Sequence, residues 1–340
     1  KPFQPDDAIE RVTIFLEWPK GTPSLMTPDH RRQLETNILP GVRCTVCHGD
    51  RVVRLAHIPA VPVLCNVLWP SSTEAKGVRR VAMQLGFCRT CGHIFNSDFD
   101  LKFLDYSQAY ENSLHFSPRF QQYAEELAQD LVERHDLHQK RIIEIGSGQG
   151  DFLRMLCGLG HNRGIGFDPS YVPDPTIHSV GAQIEFVQDF YSEKYIDHEA
   201  DFIYCRHTLE HIDDPVAFME TVRHAIGQRD ITVFFEVPNG LFTLQDMAVW
   251  DIIYEHCSYF TAHSLANLFV RTGFRVTRLQ TAFDGQYLLV EGRPVPIEGA
   301  LPGVEWRHPD DASLVYKGGK KPDWLKKLES EGKKAVKVEA

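Results

Sequence analysis

No run of apolar residues in this chain reaches the roughly 18 that a membrane-spanning helix requires, so no membrane partner is expected. The residues from Lys1 onward lack the charged start and apolar stretch of a secretory leader. Together these absences predict a cytoplasmic protein. Positive charge is also scarce. Lys and Arg number 36 against 46 Asp and Glu, a net charge of −10. That argues against a general nucleic-acid binder, which needs a basic face. The deficit is uneven: residues 317–340 carry eight Lys against four acidic residues, giving +4 there and −14 for the remainder. No internal repeat is visible, and 340 residues suffice for two domains with a full core. A disulfide framework is missing too. Cys65, Cys157, Cys205 and Cys257 stand singly in apolar surroundings and read as inert buried thiols.

The other four cysteines are paired. Cys44-x-x-Cys47 and Cys88-x-x-Cys91 supply four thiolates, and tetrahedral zinc takes four soft ligands, each pair gripping one side. With every ligand position filled by cysteine, the zinc is expected to be structural. The 40 intervening residues exceed the usual ribbon spacing. Cys47-His48 also completes a c-type haem attachment pattern, but that reading needs export and leaves the second pair unexplained. His48 and His93 are then expected around the metal or at the surface.

From Arg141 onward the pattern changes. Ile142 to Ile145 reads as a buried parallel strand, and it stops at Gly146, Gly148 and Gly150 before an apolar helical pattern. Glycines at a strand-to-helix turn bring backbone N–H groups close to a ligand at a helix N-terminus. A dinucleotide fingerprint would put its third glycine one place later. Glu-x-Gly-x-Gly-x-Gly instead resembles motif I of class I S-adenosylmethionine (SAM) methyltransferases. Further strands are predicted at 164–168, 184–188, 200–205, 231–237, 274–279 and 287–291, with helical patterns in most gaps. A turn at Asp284-Gly285 makes the last two a hairpin. The expected fold is α/β: a doubly wound Rossmann-like SAM methyltransferase sheet with an antiparallel last strand, plus a small N-terminal zinc-binding module. The predicted units are an irregular lead at 1–40, the zinc module at 41–97 and an aromatic-rich connector and helix at 98–139. The SAM-binding domain follows at 140–292, then a polar, lysine-rich tail at 293–340.

SAM as ligand makes three demands. Asp168 stands at the second strand end, 22 residues after Gly146, where a ribose-binding acid is expected; the competing reading is a turn cap. Asp189, at the third strand end, suits the adenine amino group, with Phe190 to pack on the ring; otherwise it is a helix N-cap. Glu144 is placed to orient the methionine end. His207, Glu210 and His211 spell H-x-x-E-H, found in inverted zinc proteases. That motif belongs inside a long helix, whereas here it follows a strand and stops at Asp213-Asp214-Pro215. We therefore assign His207 to the cofactor side, with a structural role equally open, and His211 to the active site. The cluster Trp250 to Phe260 lies after the fifth strand, on the ligand side. His256, flanked by Glu255 and aromatics, suits a general base near neutral pH. The competing reading makes Tyr254, Tyr259 and Phe260 core or cap residues of the next helix.

Taken together, the paired C-x-x-C module with Cys88-x-x-Cys91-Gly92-His93, the Tyr-rich segment, the glycine turn and the Glu255-His256-x-Ser258-Tyr259-Phe260 block resemble the sugar C-methyltransferase family over roughly 41–292. The resemblance implies methylation of a carbon beside the ketone of a nucleotide-linked sugar. His256, with Glu255, would remove the proton, and His211 or a tyrosine would steady the enolate. Tyr106, Tyr110 and Tyr254 would line the acceptor pocket. The block departs from the family where Ile253 and Tyr254 replace its tyrosine and first histidine. A second Rossmann-like domain of the family is not expected here. The alternatives are O- or N-methylation of a small metabolite, or a zinc-ribbon RNA- or protein-binding module on a methyltransferase-like fold.

Overall fold

Two antiparallel strands, β1 (Val52–Pro62) and β2 (Arg80–Cys88), form the N-terminal module, with the short helix α1 (Ser72–Gly77) between them. The computed structural model describes residues 37–65, 67–104, 117–173, 183–246 and 248–295, and the backbone of 304–305 and 315–316. The β1–β2 hairpin accounts for the long gap between the cysteine pairs. Cys44 and Cys47 precede β1 while Cys88 ends β2, so the gap is hairpin, not ribbon loop. The module reaches into the predicted lead, since Ile38 bridges Val53 and Leu39 is buried.

β3 (Ile94–Asn96) pairs with β2, and the sheet takes a fourth strand from far along the chain, β9 (Ser258–Tyr259). This was not legible in the sequence. It makes the module and the second domain share a sheet, and it fixes the segment immediately before β9.

Helix α2 (Pro118–His135) starts where Ser117 and Pro118 predict: the Ser117 hydroxyl accepts from the Phe120 N–H and proline takes the first turn. Then β4 (Arg141–Ile145), α3 (Asp151–Gly160), β5 (Arg163–Phe167), β6 (Gln183–Val187), β7 (Phe202–Arg206), α4 (Pro215–Ile226) and β8 (Thr232–Pro238) alternate. A short helix α5 (Gly240–Gln245), β9, and α6 (Ala262–Arg271) lead to the hairpin β10 (Phe274–Ala282) and β11 (Tyr287–Pro294). The seven-stranded sheet runs β10-β11-β8-β7-β4-β5-β6. β4 to β8 are parallel, and β11 is inserted antiparallel beside β8. This is the expected doubly wound sheet with a reversed last strand. A small ribbon, β12 (Val304–Glu305) with β13 (Val315–Tyr316), lies within the predicted tail, and β11 itself runs past 292.

Alternation explains the unbroken apolar strands. Ile143, Ile203, Val233 and Phe235 face one side, packed on Met219 and Val222 of α4 and Leu265 and Phe269 of α6. Ile142, Phe202, Tyr204 and Phe234 face the other, packed on Leu127 and Leu131 of α2 and Leu153 and Leu156 of α3. With helices on both faces no strand position is left polar by default. A polar group on these strands therefore marks the site. No helix among the described residues is long and apolar enough to cross a membrane.

Candidate active site

A cavity of about 730 Å³ opens at the carboxyl ends of β4, β5 and β7, where open α/β sheets bind ligands. The volume suits a cofactor together with a small acceptor. One end is the glycine turn. Gly146 takes φ 74°, and a Cβ there would sit inside the Thr208 side chain. The Gly148 N–H donates to Asp168 Oδ2 at 2.7 Å, while Asp168 Oδ1 accepts from the Ser170 N–H and hydroxyl at 2.8 and 2.6 Å. Asp168 thus caps its own turn and borders the cavity. Glu144, Gly146, Gly148, His207 and the exposed ring of Phe190 border it as well.

Two residues expected on the cofactor side lie outside the cavity lining. Gly150 does not border the cavity; it is the N-cap of α3 at φ 81°, and a Cβ there would overlap the Phe186 ring. Asp189 lies outside the cavity lining, and its carboxylate accepts from the Tyr195 hydroxyl at 2.6 Å and pairs with Lys194 at 3.0 Å.

Beneath the cavity is a buried charged network that sequence reasoning missed. Arg206 at the end of β7 pairs with Glu236 of β8, both nearly inaccessible. Glu236 also accepts from the Tyr123 hydroxyl at 2.6 Å, and His207 Nε2 lies 3.6 Å from it. Burial alone would raise Glu236, but Arg206, His207 and Tyr123 outweigh it and hold the carboxyl below its usual range. Glu144 has less help: burial pushes it up to about 8. Burial also pushes His207 down to about 4. The signal was there in outline, because Arg206 and Glu236 are charges inside otherwise apolar strands.

At the other end Glu210, His211, Asp251 and His256 border the cavity together. A 3-10 turn, Leu209–His211, carries the first two; a second, Val249–Asp251, carries Asp251. The His211 and His256 rings lie 4.8 Å apart. Burial pushes His211 down to about 4 and His256 well below its ordinary value, so both rings are neutral near pH 7. It pushes Asp251 up to about 6. The exposed Trp250 and Leu101 form an apolar rim.

Here too the sequence reading needs correction. Glu255 is next to His256 but points away: Oε1 accepts from the Cys65 N–H at 2.5 Å, in the N-terminal module. Only its backbone carbonyl serves the site, by accepting from His211 Nδ1. Tyr254 is fully buried, packs on Phe99 and Phe103, and takes the Asp100 N–H on its hydroxyl. It is a core residue, as is Phe260. Tyr106 and Tyr110 lie outside the described residues.

The four paired cysteines do converge. Their sulfurs lie within 4.8 Å of one another, Cys44 to Cys91 at 3.5 Å and Cys47 to Cys88 at 3.4 Å. The N–H groups of Val46 and Cys47 point at Cys44 Sγ, and that of Gly49 at Cys47 Sγ. Neighbouring sulfurs, and then burial, hold Cys44 and Cys91 protonated without a cation; a dication reverses that balance. The donor set fits tetrahedral zinc. His93 is not at the surface; it lies beside Cys88, whose N–H its carbonyl accepts at 2.8 Å. It is fully buried, its ring tilted against that of Phe260 at 4.9 Å, and burial pushes it down to about 3. Cys65 is exposed, unlike the other single thiols.

Comparisons with known proteins return methyltransferases. The C-methyltransferase NovU of Streptomyces niveus is 26% identical over 257 residues, covering 72% of this chain and 59% of the relative. The chain thus spans less than two thirds of that relative's length. Among solved structures, the 1,6-didemethyltoxoflavin-N1-methyltransferase of Burkholderia thailandensis shares 16% identity over 53% of this chain and 82% of its own, with TM-score 0.40. The magnesium protoporphyrin IX methyltransferase of Synechocystis shares 17% over 52% and 83%, also with TM-score 0.40. The family model described as a methyltransferase domain matches residues 118–279. Over that segment the chain is similar to methyltransferase domains that use SAM.

Proposed function

We propose that the protein transfers a methyl group from SAM to a carbon beside a ketone, on a small, sugar-like and nucleotide-linked acceptor. One observation carries this reading. A single cavity joins the Gly146–Asp168 turn to the Glu210, His211, Asp251 and His256 cluster, so a cofactor at one end faces proton-handling groups at the other. The C-methyltransferase relative supports carbon as the acceptor atom. The sulfonium leaves without assistance, so the protein's work is positioning and proton removal. Two groups can take the proton. His256 is neutral, with Nδ1 held by the Asp251 carbonyl at 2.8 Å. The Asp251 carboxyl, at about 6, is closer to the operating pH that favours a general base. Zinc at the four cysteines is proposed as structural. It holds β3, and through β3 the strand β9 that follows His256.

The test is hydrogen exchange at the α-carbon of keto-sugar nucleotides in heavy water, without SAM. A carbon methyltransferase of this type should catalyse that exchange, and His256→Gln or Asp251→Asn should slow it, by roughly 10²-fold or more for the base itself. Methyl transfer with no exchange would assign the enzyme to oxygen or nitrogen acceptors instead.

A further inference from the structure

The H-x-x-E-H run was set aside because it does not lie in a helix. The fold keeps two of its residues together and replaces the third. Glu210 and His211, on the turn after β7, meet His256 from the segment before β9, and one potential ligand atom from each lies within 4.8 Å of the other two. His207 is not part of the group; its Nε2 faces Glu236.

The imidazoles are oriented as ligands are. His211 Nδ1 lies 3.0 Å from the Glu255 carbonyl and His256 Nδ1 lies 2.8 Å from the Asp251 carbonyl. A carbonyl only accepts, so in both rings Nδ1 carries the proton and Nε2 the lone pair. Fixing one ring nitrogen on a carbonyl is how proteins aim the other at a metal. Glu210 is the independent observation. Glu210 is 2% exposed, it borders the same cavity, and its Oε2 has no hydrogen-bond partner. A buried carboxyl oxygen in that condition is costly unless it is paired or coordinates a metal.

We propose that Glu210, His211 and His256 bind a divalent transition-metal ion at the acceptor end of the cavity. Two nitrogens and one carboxylate suit the zinc, cobalt(II) and iron(II) class better than magnesium or calcium, which prefer all-oxygen sets. Three protein ligands leave positions open toward the cavity, in contrast to the closed four-cysteine set. The site itself stands on geometry alone. Its catalytic meaning rests on the methyltransferase reading: an open position would polarise the acceptor's ketone oxygen. His256 would then be a ligand, leaving Asp251 to take the proton.

The experiment is a cobalt(II) titration of the full chain after loading with one equivalent of zinc, which the four thiolates take first. Cobalt at thiolates absorbs strongly in the near ultraviolet, whereas cobalt on nitrogen and oxygen ligands does not, so the two clusters are told apart. Wild type should bind two ions per chain, one for each cluster. The second should show only nitrogen–oxygen cobalt bands. Glu210→Gln and His256→Gln, checked for folding by circular dichroism, should weaken that second ion by roughly tenfold or more and leave the thiolate ion in place. Wild type that takes up no ion beyond the thiolate site overturns the proposal without reference to any variant. Equal uptake by wild type and folded Glu210→Gln overturns it as well. S-adenosylhomocysteine titration of the same sample separates the two claims. Cofactor binding with no second ion removes the metal site alone. A second ion with no cofactor binding removes the methyltransferase reading and leaves the site.

Discussion

The imidazole of His211 donates its Nδ1 proton to the backbone carbonyl of Glu255 at 3.0 Å, tying the end of β7 to the segment before β9. Because β9 pairs with β3 of the cysteine module, three parts of the chain distant in sequence meet at the His211–His256 end of the cavity. The module is therefore placed to hold the site in position as well as to stand beside it.

Asp168 holds the glycine turn through Gly148 and stands where a ribose would be accepted. Asp168→Ala should weaken S-adenosylhomocysteine about tenfold or more in calorimetric titration, as expected for losing a hydrogen bond to a charged group. Unchanged affinity would remove Asp168 from the cofactor site.

Gly146 combines a positive φ with a close approach to Thr208. Gly146→Ala should cost about 1–3 kcal/mol in denaturant unfolding. Adding Thr208→Ala relieves the overlap but not the backbone strain. The double variant should therefore recover part of the loss, and strict additivity would argue against the contact.

The carboxyl of Glu144 is pushed up to about 8 by burial. Its folded value lies above the unfolded one, so the folded protein binds this proton more tightly. The stability it contributes is complete below about pH 4.5 and is lost as the pH rises through about 8. Across that window wild type should lose stability relative to Glu144→Gln. Urea unfolding at the two ends of the window checks this, and a difference that does not change with pH would contradict it.

Glu236 compensates the buried Arg206. Glu236→Gln leaves that cation without its partner and should cost about 3–5 kcal/mol. Tyr123→Phe removes one hydrogen bond and should cost about 1 kcal/mol. Thermal unfolding of both variants measures the contrast, and equal effects would mean that Arg206 is not carried by Glu236.

Zinc removal should act at a distance. Chelation, or Cys88→Ser, should lower the melting temperature and speed amide exchange around 253–259, through the β3–β9 pairing. Faster exchange confined to the module would show that the site does not depend on it.

The sheet was legible in the sequence because both of its faces are covered. The apolar runs at 141–145, 231–237 and 287–291 have no other stable use, and Gly146 and Asp284-Gly285 mark turns that other residues resist. The glycine turn, Asp168 and the cysteine quartet follow from local spacing, and the fold preserves it. Direction of side chains was not legible. Glu255 and His256 are neighbours with opposite orientations, and only the pairing of β9 with β3 decides which one enters the cavity. Tyr254 was lost to the core for the same reason. The sequence by itself determined the α/β sheet, its glycine turn and the two cysteine pairs, because each is written in residues near one another. Tertiary structure alone decided that Glu210 and His211 meet His256, and that Arg206 meets Glu236, because those contacts join strands and loops the chain order keeps apart.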